Sequence, residues 1–519
     1  HAHTHPGRLA FANSAGEQIT YGELWNASEL LAQRLLDDEA AGLLESRSPI
    51  AVLGHKQPLM LACFLACAKS GHPYVPLDAS LPTARRDAII ARIKAGPSAI
   101  LDASDPATLA SCDALPTNDS LMLALCPRSR WITDDDLYYI LFTSGSTGQP
   151  KGVRITAGCH DSFLPWALSL LGPEDARATS KPKVYLNQAP FSFDLSVFEL
   201  SMALASGSTI YALTHETQSS FAQMQAALNA AQIDVWVSTP SFAELCLKDR
   251  AFGCTGVGNV ETFLFCGEVL LPETAAELYR RFPGTRVVNT FGPTEATVAV
   301  TSVLIKDEHL ASDLPLPVGM PSAHTHIRIV DEHENSLPPQ RIGEIVIAGP
   351  SVADGYFDQP ELTAERFGTD AFGRSYRTGD AGYLDENGML HYRGRMDFQI
   401  KLNGYRIELG DIEAQLRCLP SVSNAVVLPH YQGDKVNHLV ACVVEAPSAS
   451  QEESELKRGI ALKEQLAEEL PAYMIPRIFR FWKSFPLTAN GKVDRAALSE
   501  ALNIQTTPAT LAEPPAETS

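Results

Sequence analysis

The sequence predicts an α/β protein with a large N-terminal domain of two sheets packed with helices, a β-rich subdomain and a small mobile α+β C-terminal domain. Apolar runs alternate with helical segments over 20–303, strands and turns crowd together over 317–391, and a mixed pattern follows. At 519 residues the chain is too long for one core. We assign 1–396 to the N-terminal domain (β-rich at about 317–393), 397–505 to the C-terminal domain and 506–519 to a disordered tail.

In the first part, short apolar runs are separated by amphipathic segments. A strand–helix–strand order favours parallel strands with helices on the faces of the sheet. Strands are expected at 50–53, 99–101, 138–142, 184–187, 235–238, 262–266 and 286–289, and helices at 21–36, 221–230 and 272–281. The longest apolar run, 59–68, is about half the length that crosses a bilayer, so we expect a buried core helix there.

From residue 317 to 391 the pattern changes to strands separated by turn residues. Glu-Asn at 334–335 and Glu-Asn-Gly at 386–388 are typical of hairpin turns, so this part is expected to be mostly antiparallel. The smaller α+β module should have strands at 398–404, 424–428 and 439–444, helices at 409–418 and 452–469, and a final loop, PLTANGKVDR. The tail is rich in Pro, Thr, Ala and Glu, which is typical of disorder.

The charge and the cysteines exclude several classes of protein. A net charge of −20 argues against nucleic acid or an anionic membrane as the principal partner. The ten cysteines form no even framework, which indicates reduced thiols and a cytoplasmic location. We expect a cytoplasmic monomer that does not insert into the membrane.

The segment LFTSGSTGQPKG, at 141–152, is suited to holding phosphate. Its glycines allow a close approach of the backbone, and its hydroxyl and N–H groups form a nest for anionic oxygens. It is not a Walker loop, because Gly152 follows Lys151 where Ser or Thr would reach Mg²⁺. A flexible surface linker is a poor alternative, since an apolar strand precedes the loop. The candidate phosphate-binding residues are Thr143, Ser144, Gly145, Ser146, Thr147, Gly148 and Lys151.

Two further segments suggest the rest of a nucleotide site. NTFGPTEATVA, at 289–299, offers Phe291 for stacking on a base. It also offers Glu295 as a ligand for Mg²⁺, which takes few protein oxygens and shares the rest with phosphate and water. YRTGD, at 376–380, ends in Asp380, which is suited to accept hydrogen bonds from vicinal hydroxyls.

An acid and a lysine complete the set. FSFDLSVFE places Asp194 among apolar residues, where burial of its charge is costly unless it is paired, and a substrate ammonium is a natural partner. ANGKVDR carries Lys492 on a turn. The alternatives are a helix cap for Asp194 and an ordinary surface lysine for Lys492. Together with the nucleotide segments, they indicate an enzyme that joins ATP to a charged small molecule.

These segments, in this order, resemble the adenylate-forming enzymes, which include acyl-CoA synthetases, luciferases and the amino-acid-activating domains of peptide synthetases. The resemblance runs from about residue 20 to 502. Within the family, the chain looks most like D-alanine:D-alanyl carrier protein ligases and their glycine-activating relatives. The motifs that carry it are ITYGEL, GHPYVPLD, LFTSGSTGQPKG, FDLS, NTFGPTE, GEIVIAGPSVADGY, YRTGD, GRMDFQIKLNGYRIELGDIE and PLTANGKVDR.

The resemblance implies two half-reactions. A carboxylate attacks the α-phosphate of ATP, and a phosphopantetheine thiol then takes the acyl group after the small domain rotates about Asp397. Lys492, with Lys151 and Glu295, would be catalytic, Glu295 would bind Mg²⁺, and the loop around Gly404 would help to form the pantetheine channel. The remaining implied nucleotide-binding residues are Gly267, Glu268, Asn289, Thr290, Phe291, Gly292, Thr294, Asp380 and Arg395.

The resemblance also implies a small amino acid as the substrate. Asp194 would bind its α-amino group, which fatty and aryl acids lack. The residues that would set the size of the substrate pocket are Leu195, Phe198, Leu264, Cys266, Gly292, Val298 and Ala299. D-alanine ligases commonly carry Met at the position of Phe198, and a rigid ring there favours glycine slightly over D-alanine.

We therefore expect an ATP-dependent ligase that activates glycine or D-alanine and transfers it to a phosphopantetheinylated carrier protein. The expected use is aminoacylation of the cell envelope, either of lipid A or of teichoic acid. An adenylation domain of a nonribosomal peptide synthetase is the nearest alternative. An acyl-CoA synthetase is disfavoured by Asp194, and a non-catalytic nucleotide-binding protein by the presence of the full set of charged residues.

Overall fold

A computed structural model of the protein describes residues 1–105, 108, 123–145, 150–172, 181–311, 315–396, 399–433, 435–446, 454–487 and 493–506. The strands of the N-terminal domain are β1 (Leu9–Asn13), β2 (Gln18–Thr20), β3 (Ile50–Gly54), β4 (Tyr74–Asp78), β5 (Ile100–Asp102), β6 (Leu137–Thr143), β7 (Lys151–Thr156), β8 (Val184–Asn187), β9 (Thr209–Ala212), β10 (Val235–Ser238), β11 (Thr262–Phe265), β12 (Arg286–Phe291), β13 (Thr301–Leu304), β14 (Met320–Pro321), β15 (His326–Val330), β16 (Gly343–Ala348), β17 (Phe367–Asp370), β18 (Gly373–Leu384) and β19 (Leu390–Arg395).

Helices lie between many of these strands. They are α1 (Tyr21–Ala40), α2 (Pro58–Ser70), α3 (Thr83–Arg92), α4 (Ala157–Ser169), α5 (Ser196–Ser206), α6 (His215–Ser219), α7 (Phe221–Ala231), α8 (Pro240–Leu247), α9 (Pro272–Arg281), α10 (Asp307–Leu310) and α11 (Pro360–Arg366). The C-terminal domain contributes β20 (Gln399–Leu402), β21 (Tyr405–Glu408), α12 (Leu409–Cys418), β22 (Val422–Gln432), β23 (Lys435–Glu445), α13 (Glu455–Glu469), β24 (Ile478–Trp482) and α14 (Arg495–Leu502).

Two mainly parallel sheets form the body of the N-terminal domain, as predicted. The larger has the order β14-β13-β12-β11-β10-β8-β9-β1-β2, with antiparallel pairs at its ends, and the smaller has the order β5-β3-β4-β6-β7. Helix α2 belongs to the core that both sheets share, which confirms the buried helix predicted at 59–68. Pro58 at its first turn and Gly71 after its end, with φ 88°, account for its bounds.

The β-rich part is a five-stranded antiparallel sheet, β15-β16-β18-β17 with β19 paired to β18. It begins at His326, later than the predicted 317. The short strand β14 lies before it and instead pairs with β13 at the edge of the larger sheet. Gly319 allows this, because a Cβ there would lie 2.1 Å from the carbonyl carbon of Ser302.

The C-terminal domain has a β20–β21 hairpin and a three-stranded sheet, β22-β23-β24, with its own apolar core. The single strand predicted at 398–404 is wrong. The strand ends at Leu402, and Asn403 and Gly404 (φ 52° and 84°) turn the chain into β21, as Asn-Gly commonly does in two-residue hairpins. Helix α14 was not predicted; the Asp494 carboxylate caps it by accepting a bond from the Ala497 N–H (3.0 Å).

Several predictions fall on residues outside the described ranges, namely Ser146, Thr147, Gly148, Asp397, Lys492 and the tail beyond residue 506. Along the described chain, every helix is too short or too polar to cross a bilayer.

Candidate active site

Two adjoining cavities lie where the C-terminal domain meets the larger sheet. The first contains most of the predicted adenine-binding residues, so we call it the nucleotide cavity; it spans about 1020 Å³, including space open to solvent. The second contains Asp194, so we call it the substrate cavity; it spans about 1010 Å³, measured in the same way. Gly267, Arg395 and Lys401 line both, so one ligand can extend from one cavity into the other.

The end of β12 forms one wall of the nucleotide cavity. Asn289 is buried, and its amide nitrogen donates to the Pro317 carbonyl (2.9 Å), while its Oδ1 has no partner among the described residues. Phe291 lies beside Tyr392, with 5.7 Å between ring centroids. An unpaired acceptor beside aromatic rings suits a flat heteroaromatic ring that carries an amino group. The predicted nucleotide-binding residues that line this cavity are Gly267, Glu268, Asn289, Thr290, Phe291 and Arg395.

A carboxylate of β18 lies at the wall of the substrate cavity. Asp380 is buried, and its Oδ1 accepts a bond from Arg395 Nη1 (3.0 Å). Glu344 orders the irregular part of β18 before it, where Gly379 has φ 71°, because its carboxylate accepts bonds from the Gly379 N–H (3.0 Å) and from Arg377 (2.7 Å). Strand β18 therefore holds an acid, already paired to an arginine, at the wall of the substrate cavity.

The described part of the phosphate loop contacts the C-terminal domain. Ser144 Oγ donates to the Arg406 carbonyl (2.9 Å) and accepts from the Glu408 N–H (3.1 Å). Thr143 Oγ1 is buried and has no partner in the described chain. Lys151, the first residue of β7, lies 3.4 Å from Glu408, and burial lowers the pKa of its ammonium.

Glu295 is fully buried in a cluster of charges. Its carboxylate accepts bonds from Arg406 Nη1 (2.5 Å) and Tyr356 Oη (2.8 Å) and lies 3.8 Å from Lys151 Nζ. Burial opposes the charge, but Arg406 and Lys151 outweigh it and lower the pKa of Glu295. Across the described ranges, no group of three or more His, Cys, Asp or Glu residues could hold a metal ion.

The partly buried Asp194 lies in the wall of the substrate cavity. Its carboxylate accepts a bond from Thr294 Oγ1 (2.6 Å), and burial raises its pKa. Its position just before α5 leaves the carboxylate facing the cavity, and no bond from it to the helix N-terminus caps α5. The other predicted substrate residues that line this cavity are Leu195, Cys266, Gly292 and Val298. Predicted nucleotide-binding residues line it too, namely Thr143, Ser144, Gly267, Thr294, Asp380 and Arg395.

The structure separates three predicted substrate residues from that cavity. Phe198, Leu264 and Ala299 are buried but do not line it. Phe198 packs instead against Phe163 and Trp166, with 5.0 and 6.3 Å between ring centroids. The aromatic ring that suggested a preference for glycine is therefore part of the core behind the cavity.

The backbone is strained beside the cavity. Thr297 and Val298 have φ of 58° and 70°, which side chains branched at Cβ rarely adopt. The Thr297 hydroxyl, which donates to the Ser351 carbonyl (2.7 Å), helps to hold this turn. Strain of this kind is concentrated at functional sites.

The C-terminal domain supplies groups to the site that the sequence analysis did not name, and they lie beside the expected loop around Gly404. The Gly404 N–H donates to Glu268 Oε1 (2.7 Å), so the β20–β21 turn is inserted beside the cavities. Lys401 Nζ lies 5.9 Å from the centroid of the Phe291 ring. The rings of Tyr405 and Tyr473 stack at 3.7 Å. The Asn403-Gly404 pair within the motif GRMDFQIKLNGYRIELGDIE is the feature of the sequence that indicates this turn.

The chain is similar over its whole length to known proteins. A model of the AMP-binding enzyme family matches residues 1–357, and one of the AMP-binding enzyme C-terminal domain matches 411–492. A D-alanine–D-alanyl carrier protein ligase of Bacillus licheniformis is 43% identical over 516 residues, covering 97% of this chain and 98% of that protein.

Solved structures share the fold. Holo-PA1221, an NRPS protein containing adenylation and PCP domains, has a TM-score of 0.74 and 26% identity, covering 96% of this chain and 82% of that one. The Vibrio cholerae adenylation domain AlmE, in complex with glycyl-adenosine-5'-phosphate, has a TM-score of 0.75 over 96% of this chain and 95% of that one, but at 21% identity it shows the fold alone. These matches confirm the family and the fold predicted from the motifs. The chain belongs to the AMP-binding enzyme family and is an AMP-forming ligase.

Proposed function

We propose that this enzyme activates D-alanine with ATP and transfers the D-alanyl group to the phosphopantetheine thiol of a carrier protein. The observation that carries the proposal is the Asp194 carboxylate, which faces a cavity continuous with the nucleotide cavity. A substrate ammonium would pair with this acid and lower its raised pKa. The similarity to D-alanine–D-alanyl carrier protein ligases at 43% identity supports D-alanine as the amino acid.

We propose a small side chain for the substrate, as in the D-alanine ligases that the chain resembles. Cys266, Gly292 and Val298 line the cavity together with Asp194. The preference for glycine expected from the sequence rested on Phe198, which does not line the cavity. A single methyl group changes binding by about 1–3 kcal/mol, so glycine is the nearest competitor.

The residues present fit ATP and Mg²⁺. Asn289 Oδ1, an acceptor, and the Thr143 hydroxyl are buried without partners among the described residues. An amino group of the base would donate to Asn289 Oδ1, and a phosphate oxygen would accept from the Thr143 hydroxyl. Lys151 and the phosphate loop would hold phosphates, Asp380 the ribose hydroxyls, and Glu295 the metal ion. When bound, Mg²⁺ supplies charge neutralisation at the phosphate oxygens. Lys492, outside the described residues, would bridge the carboxylate and the α-phosphate.

The same cleft offers an approach for the carrier thiol. Phe193, Gly404 and Tyr473 line the side of the substrate cavity nearest the C-terminal domain. A pantetheine arm between these residues would bring its thiol toward the acyl group. We propose that the enzyme acts as a cytoplasmic monomer and that its acyl group is destined for the cell envelope.

The test is amino-acid-dependent exchange of pyrophosphate into ATP, measured with D-alanine, glycine, L-alanine, L-serine and L-phenylalanine. D-alanine should give the highest kcat/KM, and propionate, which matches it without the ammonium, should give little exchange. A preference for glycine would change the assigned substrate, but the cavity would remain the proposed site for the amino acid. A preference for phenylalanine would refute the proposal of a small substrate. Nucleotide binding without exchange would show a non-catalytic protein.

A second measurement tests the acceptor. The enzyme, ATP and D-alanine are incubated with a D-alanyl carrier protein bearing phosphopantetheine, and the mass of the carrier protein is measured by mass spectrometry. The carrier should gain the mass of one alanyl group, and the same carrier without its phosphopantetheine should gain none. Adenylate formation without this gain would exclude the proposed acceptor.

A further inference from the structure

A buried lysine joins the two sheets of the N-terminal domain. Lys56 lies two residues after β3 of the smaller sheet, and its side chain is fully buried. Its Nζ donates to three backbone carbonyls at the carboxyl ends of β8 and β9 in the larger sheet, those of Asn187 (3.2 Å), Gln188 (2.6 Å) and Leu213 (2.8 Å). The three N–H groups of an ammonium are thus matched by three acceptors.

These carbonyls do not depend on the lysine for their hydrogen bonds. The Asn187 carbonyl also accepts a bond from the Leu213 N–H (3.1 Å). The side-chain amide of Gln218 donates to the carbonyls of Leu213 (2.9 Å) and Gln188 (3.4 Å). A buried charge is costly, and an apolar side chain of similar length would fill the same space at a lower cost. The stability of the fold therefore does not account for a lysine at this position.

The network extends to both ends of the segment that carries Asp194, which runs from residue 188 to the start of α5. The Asn187 side-chain amide donates to the Ala189 carbonyl (3.0 Å), near the start of the segment. It also donates to Glu199 Oε1 (2.6 Å), in the first turn of α5. One buried network therefore holds the segment before and after Asp194.

The substrate cavity is lined from both sheets. Leu141, Phe142 and Thr143 belong to β6 of the smaller sheet, and Asp194 belongs to the segment that follows β8 of the larger sheet. The distance between Asp194 and the phosphate loop therefore depends on how the two sheets are held together. Lys56 joins them at the strand from which the Asp194 segment departs.

We propose that Lys56 is a positioning residue, which acts through Asn187 and Glu199 to hold the Asp194 carboxylate at a fixed distance from the phosphate loop. The inference rests on the proposed function, in which Asp194 binds the substrate ammonium. Lys56 and Glu199 line neither the nucleotide cavity nor the substrate cavity. Because a misplacement of about 1 Å costs about 100-fold in rate, this network should matter for activation of the amino acid more than for binding of ATP.

The test is amino-acid-dependent pyrophosphate exchange by the full-length enzyme with Lys56→Met, which keeps the length of the side chain and removes its donors. The value of kcat/KM for D-alanine should fall by at least about tenfold, because Asp194 is displaced. The Kd for ATP, measured by calorimetry, should stay within about twofold. An unchanged kcat/KM in a folded Lys56→Met enzyme would overturn the proposal.

A double variant shows whether the lysine acts through Asp194. In Asp194→Asn the ammonium has already lost its partner, so adding Lys56→Met should lower kcat/KM for D-alanine by much less than it does alone. Effects that multiply in full would mean that Lys56 acts independently of Asp194, against the proposal.

Variants of Glu199 test the other end of the network and serve if Lys56→Met does not fold. Glu199→Gln keeps an oxygen that accepts from the Asn187 amide, so kcat/KM for D-alanine should stay within about twofold. Glu199→Leu removes this acceptor and should lower kcat/KM about tenfold. Equal values of kcat/KM in the two variants would refute the role of this bond.

Lys69→Met is the matched control. Lys69 is also buried in the N-terminal domain, on α2, and its Nζ lies 2.8 Å from Glu29 Oε1. Its removal leaves a buried acid unpaired, so the free energy of unfolding in urea should fall while kcat/KM for D-alanine is kept. If Lys69→Met lowers kcat/KM as much as Lys56→Met does, loosening of the domain is sufficient and the proposal is wrong.

The proposed function and the further inference fail in different ways. If Asp194→Asn leaves kcat/KM for D-alanine unchanged, recognition of the ammonium is misassigned and the inference fails with it. If Asp194→Asn lowers kcat/KM and Lys56→Met does not, the substrate site stands and only the positioning by Lys56 is refuted.

Discussion

At the scale of single residues, the account depends on the environment of Asp194. Among the described residues its carboxylate has one hydrogen-bond donor, Thr294, and burial raises its pKa. Lys401 and Arg406 also favour the charge of this acid, but burial outweighs them, so ionised Asp194 is costly to the fold unless a ligand ammonium pairs with it. This is why we interpret it as the group that recognises the substrate ammonium.

Asp194→Asn should therefore remove most of the binding of the amino acid. Losing one member of a buried charge pair costs about 2–5 kcal/mol, so kcat/KM for D-alanine in pyrophosphate exchange should fall by about 30-fold or more. The affinity for ATP, measured by calorimetry, should remain. A variant with an unchanged KM for D-alanine would contradict the assigned role.

The raised pKa also predicts a dependence on pH. The carboxylate binds an ammonium only when it is ionised, and its pKa in the free enzyme lies above the ordinary value for Asp. As the pH falls through this raised pKa, the KM for D-alanine should rise earlier than for an ordinary aspartate. In Asp194→Asn this rise should disappear, and its persistence would assign the titration to another group.

At the scale of elements, the local patterns predicted most strands and helices well. The strands at 184–187 and 235–238 and the helix at 272–281 have the predicted bounds. The misses have physical causes. A two-residue Asn-Gly turn divides the strand predicted at 398–404. Strand β14 can pair with β13 because Gly319 lets the two backbones approach closely, and the alternation of apolar and polar residues does not predict such a contact.

The turn at Gly404 should matter for transfer more than for activation. Its φ of 84° and a distance of 2.3 Å between an added Cβ and Thr239 Cγ2 both oppose a side chain. Each effect costs about 1–3 kcal/mol. In Gly404→Ala, transfer to the carrier should slow by at least about tenfold, while pyrophosphate exchange is retained.

Gly433→Ala is the matched control for this prediction. Gly433 has φ 64° in the same domain, but an added Cβ would meet nothing within 4 Å. Rapid-quench measurements of activation and of transfer, made on both variants, show which half-reaction each substitution slows. If both variants slow transfer equally, the insertion of the turn beside Thr239 is not the cause.

A second element-scale prediction concerns the buried Glu199 of α5. Burial raises the pKa of Glu199 to about 8, and its carboxyl accepts a bond from Asn187 of β8 (2.6 Å). Burial also lowers the pKa of the nearby Lys56 to about 7. The folded state then holds an extra proton on Glu199 between its ordinary pKa of 4.5 and about 8, so the free energy of unfolding falls as pH rises in that window.

Lys56 has the opposite effect, and raises the free energy of unfolding with pH between about 7 and 10.5. Glu199→Gln should abolish the fall between pH 5 and 7 and keep the rise above pH 8. Urea unfolding of the two proteins across this range, compared by their midpoints, measures both slopes. An unchanged slope below pH 7 in the variant would show that Glu199 is ionised in the folded state.

At the scale of the whole molecule, the site exists only where two domains meet. The motifs predicted Asp194, Asn289, Phe291 and Asp380 as parts of one site. Asn289 and Phe291 lie on β12, Asp194 follows β8, and Asp380 lies on β18 of the β-rich sheet. They could not predict that Arg406 would contact Glu295. That contact depends on how one domain is rotated against the other, which no local pattern records.

Lys492 lies outside the described chain, but the residues on either side of its segment are held by the C-terminal domain. Leu487 and Val493 pair with each other, and Val493 packs against a cluster that includes Val426 and Leu428. Lys492→Ala should abolish pyrophosphate exchange while transfer from preformed D-alanyl-adenylate remains within about threefold, because the lysine is expected to act only on the α-phosphate. Equal loss in both half-reactions would remove that assignment.

The central claim is that one ligand spans both cavities, with its ammonium on Asp194 and its base beside Phe291. A crystal structure of the enzyme with a non-hydrolysable D-alanyl-adenylate analogue tests it most directly. We expect the ammonium nitrogen at about 3 Å from the Asp194 carboxylate, the ribose at Asp380 and the adenine against Phe291 and Asn289. An analogue bound with its ammonium in solvent, or with Asp194 turned away from it, would contradict the account.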